Sequence, residues 1–172
     1  MKKTLKTIII SILVVFSLCL FVGCKVETTP SVNFGFKAVD TADNYNESLS
    51  SFLVGKRFYT SIKIQINTDT KKAHDYKVVI TVPKTKEVEV KGMGGPSPDS
   101  NEWDEENQTT KLTFTIKGYK EATPENILFY GTPTGEGEAE MTVHIYDEDD
   151  KEINTGYTRK VFFVYELQTG DD

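Results

Sequence analysis

The chain has 172 residues, with 20 lysines and arginines against 26 aspartates and glutamates, and a formal charge of −6. Lys2, Lys3 and Lys6 are the charged residues of the first 23, so the 149 that follow hold 17 basic and 26 acidic side chains, a net of −9. That length makes one domain, an acidic surface without a basic stripe repels phosphate backbones and argues against nucleic acid, and two His and two Cys leave little material for catalysis.

The three lysines precede a mostly apolar run from Ile8 to Val22, which is 15 residues. At about 1.5 Å per helical residue the run is about 22 Å long, short of the roughly 30 Å hydrocarbon core that a resident spanning helix matches. It reads as a secretory signal over residues 1–23, because apolar character stops at Lys25, and Glu27, Thr28, Thr29 and Pro30 follow. The residues Leu20-Phe21-Val22-Gly23-Cys24 resemble the lipobox of bacterial lipoproteins, with Gly23 as the small residue before the cysteine and Phe21 where the family usually has Leu. The resemblance implies a diacylglycerol thioether on Cys24 and cleavage just before it, leaving 24–31 as a lipidated tether on the bacterial cell membrane or outer membrane. Each buried methylene contributes about 0.8 kcal/mol, so two or three acyl chains anchor a soluble domain where one does not. A plain secretory signal and an uncleaved anchor helix are the alternatives. Cys19 follows Leu18 and lies inside the apolar run, so after processing Cys24 is the one cysteine left and no disulfide can form.

Beyond the tether the apolar residues repeat every second position, the period of a strand with one buried face. Val32, Phe34, Phe36 and Ala38 predict a strand over 32–39. Residues 40–56 read as irregular, punctuated by Asp40, Asp43, Asn44, Asn46 and Gly55. Phe58, Ile62, Ile64 and Ile66 define a second strand, and Tyr76, Val78, Ile80 and Val82 a third that ends at Pro83; the polar turn between them suggests a hairpin. Val88 and Val90 mark a short edge strand among lysines. Residues 92–109, with three glycines, two prolines and five acids around Trp103, read as a long exposed loop. Leu112, Phe114 and Ile116 predict a strand ended by Gly118, and Ile127 with Phe129 a shorter one. Ala139, Met141, Val143 and Ile145 face Val161, Phe163 and Tyr165 across a final hairpin.

Seven or eight short strands without a long amphipathic helix predict an all-β, immunoglobulin-like antiparallel β-sandwich over 32–167, with 168–172 as a tail. Residues 57–167 resemble the immunoglobulin-like modules of bacterial surface proteins in their last strand pair and acidic turn, although the Cys and Trp landmarks of antibody domains are absent. The resemblance implies architecture alone.

Candidate sites are few. Trp103 with Tyr119 and Tyr130 could form an aromatic platform for a sugar ring or a partner protein; the plainer reading has Trp103 covering one end of the sandwich. Asp147, Asp149 and Asp150 offer hard oxygen ligands for calcium, but Glu152 and Thr158 stand where an EF-hand loop needs Gly and a bidentate Glu, so a solvated turn is the plainer reading. His74 and His144 are 70 positions apart, with no nucleophile motif near either. No cofactor motif is present. The expectation is a non-catalytic binding or adhesion module held at the membrane through the lipid on Cys24, with a protein or carbohydrate ligand and no nucleic acid; the alternative is a structural or accessory subunit of an envelope complex.

Overall fold

The computed structural model describes residues 29–37, 45–67, 73–91, 95–119, 124–153 and 156–165. The expected signal over 1–23, Cys24 and the expected tail over 168–172 lie outside them.

Ten strands and no helix form among the described residues: β1 (Thr29–Lys37), β2 (Ser51–Leu53), β3 (Phe58–Asn67), β4 (His74–Pro83), β5 (Val88–Val90), β6 (Ser100–Asp104), β7 (Thr109–Tyr119), β8 (Glu125–Gly131), β9 (Gly137–Tyr146) and β10 (Tyr157–Val164). They make a four-stranded sheet in the order β1-β3-β8-β5 and a six-stranded sheet in the order β2-β10-β9-β4-β7-β6. In immunoglobulin lettering the first is A-B-E-D, and β10-β9-β4 is G-F-C. The fold is therefore an immunoglobulin-like sandwich with one departure. Variable-type domains add strands directly after C, whereas here the β6–β7 hairpin follows β5 in the chain and extends the sheet beyond β4.

Alternation accounts for the two layers. Ile62, Ile64 and Ile66 of β3 and Ile127 and Phe129 of β8 face Val78 and Ile80 of β4, Leu112 and Phe114 of β7, and Met141, Val143 and Ile145 of β9 in one buried cluster. Phe52, Phe58 and Phe163 meet at ring-centroid distances of 4.9–6.2 Å, and Phe36 reaches Phe52 at 5.4 Å, closing one end of the core with phenyl contacts. Such pairs contribute about 0.5–1.5 kcal/mol each beyond the area they bury. Tyr119 ties the sheets together: its buried hydroxyl accepts the Ile66 N–H at 3.0 Å.

Several sequence expectations change. The first strand starts at Thr29 rather than residue 32. The stretch read as irregular contains β2, whose Phe52 is buried and whose backbone pairs in parallel with β10. β3 and β4 are not a hairpin: β3 lies between β1 and β8, and β4 between β7 and β9 in the other sheet, because alternation fixes which face is buried and says nothing about the neighbouring strand. Within the supposed loop 92–109, β6 pairs with β7 from Ser100–Thr113 to Asp104–Thr109. Gly118 does not end its strand, since β7 continues to Tyr119 while Gly118 takes φ 65° and donates its N–H to Asp75. The edge position of β5 and the β9–β10 pairing are as expected.

Candidate functional site

The three aromatic residues expected to share a platform are in three different places. Tyr119 is 5% exposed and belongs to the core, and burial raises its phenol pKa above the usual value. Tyr130 lies on the outer side of the four-stranded sheet, opposite Tyr59 on one side and Glu89 on the other. Trp103 is paired with Thr110, whose side chain is buried, and so lies at the free edge of the six-stranded sheet, half-buried. Its Nε1–H donates to Glu105 at 2.5 Å, and the Lys86 ammonium lies 5.9 Å from the ring. This contact, then Lys86, holds the Glu105 carboxyl below its ordinary pKa.

The β6–β7 hairpin builds the edge on which Trp103 stands. Asp104 closes its turn, accepting N–H bonds from Glu106 and Asn107, both at 3.0 Å, and from Asn107 Nδ2 at 2.8 Å. These bonds lower the Asp104 pKa, the Asn107 side chain foremost.

Beside that edge, the outer side of the six-stranded sheet carries a shallow open groove of about 780 Å³. Val79, Thr81, Lys111, His144 and Tyr146 line it from β4, β7 and β9, with Glu102, Trp103 and Asp104 at the β6 end. Register explains the convergence: Thr81 pairs with both Lys111 and Thr142, and Val79 with His144, so outward side chains of neighbouring strands fall into rows. His144 Nδ1 lies 2.6 Å from Glu152 Oε1, which fixes the ring. Gly156 lets the following loop pass over it, for a Cβ there would stand 2.7 Å from the imidazole. The sequence places His144 on the outward side of β9 but does not foretell the carboxylate partner or Tyr146 as a neighbour, because both follow from pairing between strands and from the turn that brings Glu152 back to Tyr146.

The acidic turn after β9 is held by contacts within the protein. Asp147 Oδ1 accepts the N–H of Asp149 at 3.0 Å and of Lys151 at 2.9 Å, as turn residues do. Glu148 Oε1 lies 2.7 Å from His74 Nδ1, and Asp150 pairs with Lys77. Among the described residues no three His, Cys, Asp or Glu side chains converge as metal ligands. Asp147, Asp149 and Asp150, the residues expected to offer calcium ligands, stand in a turn where Asp147 accepts backbone N–H bonds and Asp150 pairs with Lys77.

The outer side of the four-stranded sheet is different in character. One row crosses all four strands: Lys37, Tyr59, Tyr130, Glu89. The Lys37 and Lys91 ammoniums lie 5.4 and 4.8 Å from the Tyr59 centroid, and the Arg57 guanidinium 4.4 Å from that of Tyr130. Tyr130 donates its hydroxyl to Glu89, which raises the phenol pKa. Tyr45 packs over Gly35, where any Cβ would approach Tyr45 Cβ to 2.9 Å.

No protein-family model matches the chain, and no curated protein matches it. Among solved structures it is similar to a CARDB domain from Pyrococcus furiosus, at 17% identity and TM-score 0.47, covering 83% of this chain and 99% of that one. An immunoglobulin-like protein from Nocardia farcinica is 12% identical with TM-score 0.44, covering 64% and 91%. The major pilin SpaA of Corynebacterium diphtheriae is 13% identical with TM-score 0.45, covering 68% of this chain and 32% of that one.

Proposed function

We propose that the chain is a lipid-anchored cell-envelope module that works by recognition rather than catalysis, taking an extended carbohydrate or peptide across the groove of its six-stranded sheet. The observation that supports this reading is the groove itself. It is open and shallow, so it suits a chain laid across strands better than a small molecule, which a site normally encloses on most sides. Hydrogen-bonding groups from Thr81, Lys111 and His144 stand beside Tyr146, whose ring has the Lys77 ammonium 4.8 Å from its centroid, with Glu102 and Asp104 at the β6 end, a combination that holds a polar polymer chiefly by polar and charged contacts.

Trp103 is the one tryptophan of the chain, so its fluorescence reports on the groove. Residues 25–172 contain all ten strands and the whole described core, and can be titrated with glycan and envelope-peptide libraries. A ligand of the groove shifts Trp103 emission saturably, and Tyr146→Ala, which leaves the reporter and the edge strand in place, weakens binding at least tenfold. Saturable binding with unchanged emission and no effect of Tyr146→Ala removes the groove from consideration.

A second reading, a subunit docked in an envelope complex, is favoured by Phe162 and Tyr165, which are 37% and 64% exposed on and just after β10. Co-purification from membranes that depends on Phe162 supports it.

A further inference from the structure

The charge of this domain is unevenly placed. After the expected cleavage 17 basic side chains face 26 acidic ones, yet the outer side of the four-stranded sheet carries Lys37, Arg57, Lys63 and Lys91 against Glu89, with Glu87 immediately before β5. The tyrosines do not offer their ring faces there. Tyr59 is 5% exposed because Lys37 and Lys91 lie over it, and Arg57 lies over Tyr130. The rings prop cations outward, so the face presents fixed positive charge rather than a stacking platform. That charge fits an anionic surface.

The chain outside the described residues says which surface is within reach. Cys24 is five residues from Thr29, so the tether spans at most about 18 Å from the lipid to the start of β1. β1 is an edge strand of this same sheet, and its nine residues carry the face a further 27 Å or so, to Lys37. We propose that the outer face of the four-stranded sheet docks on the anionic headgroups of the membrane that anchors the chain. This rests on the lipid-anchor reading. A weak contact suffices, since the anchor holds the face at high effective concentration beside the headgroups. Docking there turns the groove of the other sheet away from the membrane.

The test uses residues 25–172, which lack the anchor, so it succeeds or fails independently of lipidation; the mass of the mature N-terminus examines Cys24 separately. Co-sedimentation is measured with phosphatidylcholine vesicles with and without phosphatidylglycerol in about 0.01 M salt, where screening is weak. The domain sediments with the anionic vesicles alone, despite its net negative charge. Lys37→Gln/Lys63→Gln/Lys91→Gln weakens this roughly hundredfold, at about fivefold per cation. Lys63→Gln alone, at an exposed position, weakens it about fivefold should the triple variant fail to fold. Lys117→Gln/Lys151→Gln/Lys160→Gln removes the same charge elsewhere and leaves binding within threefold. Equal binding to both vesicles, an equal loss in the two triple variants, or retention on soluble dextran sulfate without retention on vesicles overturns the proposal.

Discussion

At the scale of single residues, the departures from simple packing are polar groups inside the core. Thr60 points inward between Phe58 and Ile62 on β3, is fully buried, and its hydroxyl has no partner. A buried hydroxyl left unpaired carries its desolvation cost uncompensated, so Thr60→Val raises unfolding stability by about 1 kcal/mol. Urea denaturation measures this, and a lower midpoint refutes it. Thr110 shows the opposite solution, donating its hydroxyl to the Thr85 carbonyl at 2.5 Å and so fastening the β4–β5 connection to β7. Asp104 is one of two carboxylates, with Glu105, through which acid acts on the β6–β7 turn. Its folded pKa is lowered by Asn107 and the turn amides, so its contribution to stability is complete above the unfolded carboxylate pKa and is lost as pH falls through the folded value. Between about pH 5 and pH 2 the wild-type protein therefore loses more stability than Asp104→Asn, whose urea midpoint follows a flatter course. A steeper course in the variant contradicts this assignment. The roles of Thr60 and Thr110 are not legible beforehand, since both are ordinary strand residues until the partner strand is known, whereas Asp104 acts on Glu106 and Asn107 within its own turn and is hidden only by the reading of 92–109 as one long loop.

At the scale of elements, β3, β4, β7, β8, β9 and β10 were legible because each buries one face and leaves the other in solvent or under surface side chains. Period-two alternation records that difference directly. β6 was not, since Ser100-Asn101-Glu102-Trp103-Asp104 has one apolar residue and pairs on one side only. An edge strand with little to bury leaves no alternation to read. β2 fails for another reason: it has three residues, and its strand character comes from the parallel ladder it shares with Phe162, Phe163 and Val164. Short as it is, β2 holds Phe52 at the centre of the phenyl cluster, where it touches Phe36, Phe58 and Phe163. Phe52→Ala removes all three contacts and costs about 3–5 kcal/mol, measured as a shift in the urea midpoint. A loss below about 1 kcal/mol means that the segment is only laid against the sandwich. The proposed groove was legible in part. Outward placement of His144 followed from parity, but the gathering of β4, β7, β9 and the β6 edge depends on long-range strand order, which a turn signal does not encode.

At the scale of the molecule, the two sheets differ in what they turn outward: one carries a cation-rich face over tyrosines, the other a groove with aromatic and polar lining. The two faces lie on opposite sides of one core, so titrating one leaves the other's side chains untouched, and the groove and membrane experiments are independent. The strand order also determines how the domain carries load. The N-terminal part of the chain enters both layers, β1 pairing with β3 in one sheet and β2 with β10 in the other. Under the proposed anchor, tension on a lipid at Cys24 would enter the described fold at Thr29 and run along β1, whose ladder with β3 extends unbroken from Thr29–Asn67 to Lys37–Tyr59. Such a pull is shear: the hydrogen bonds of the ladder resist together instead of opening one after another, and the Tyr157 hydroxyl bound to the Pro30 carbonyl grips the strand at its loaded end. A domain anchored as proposed would be clamped by its first strand at the point where its tether pulls.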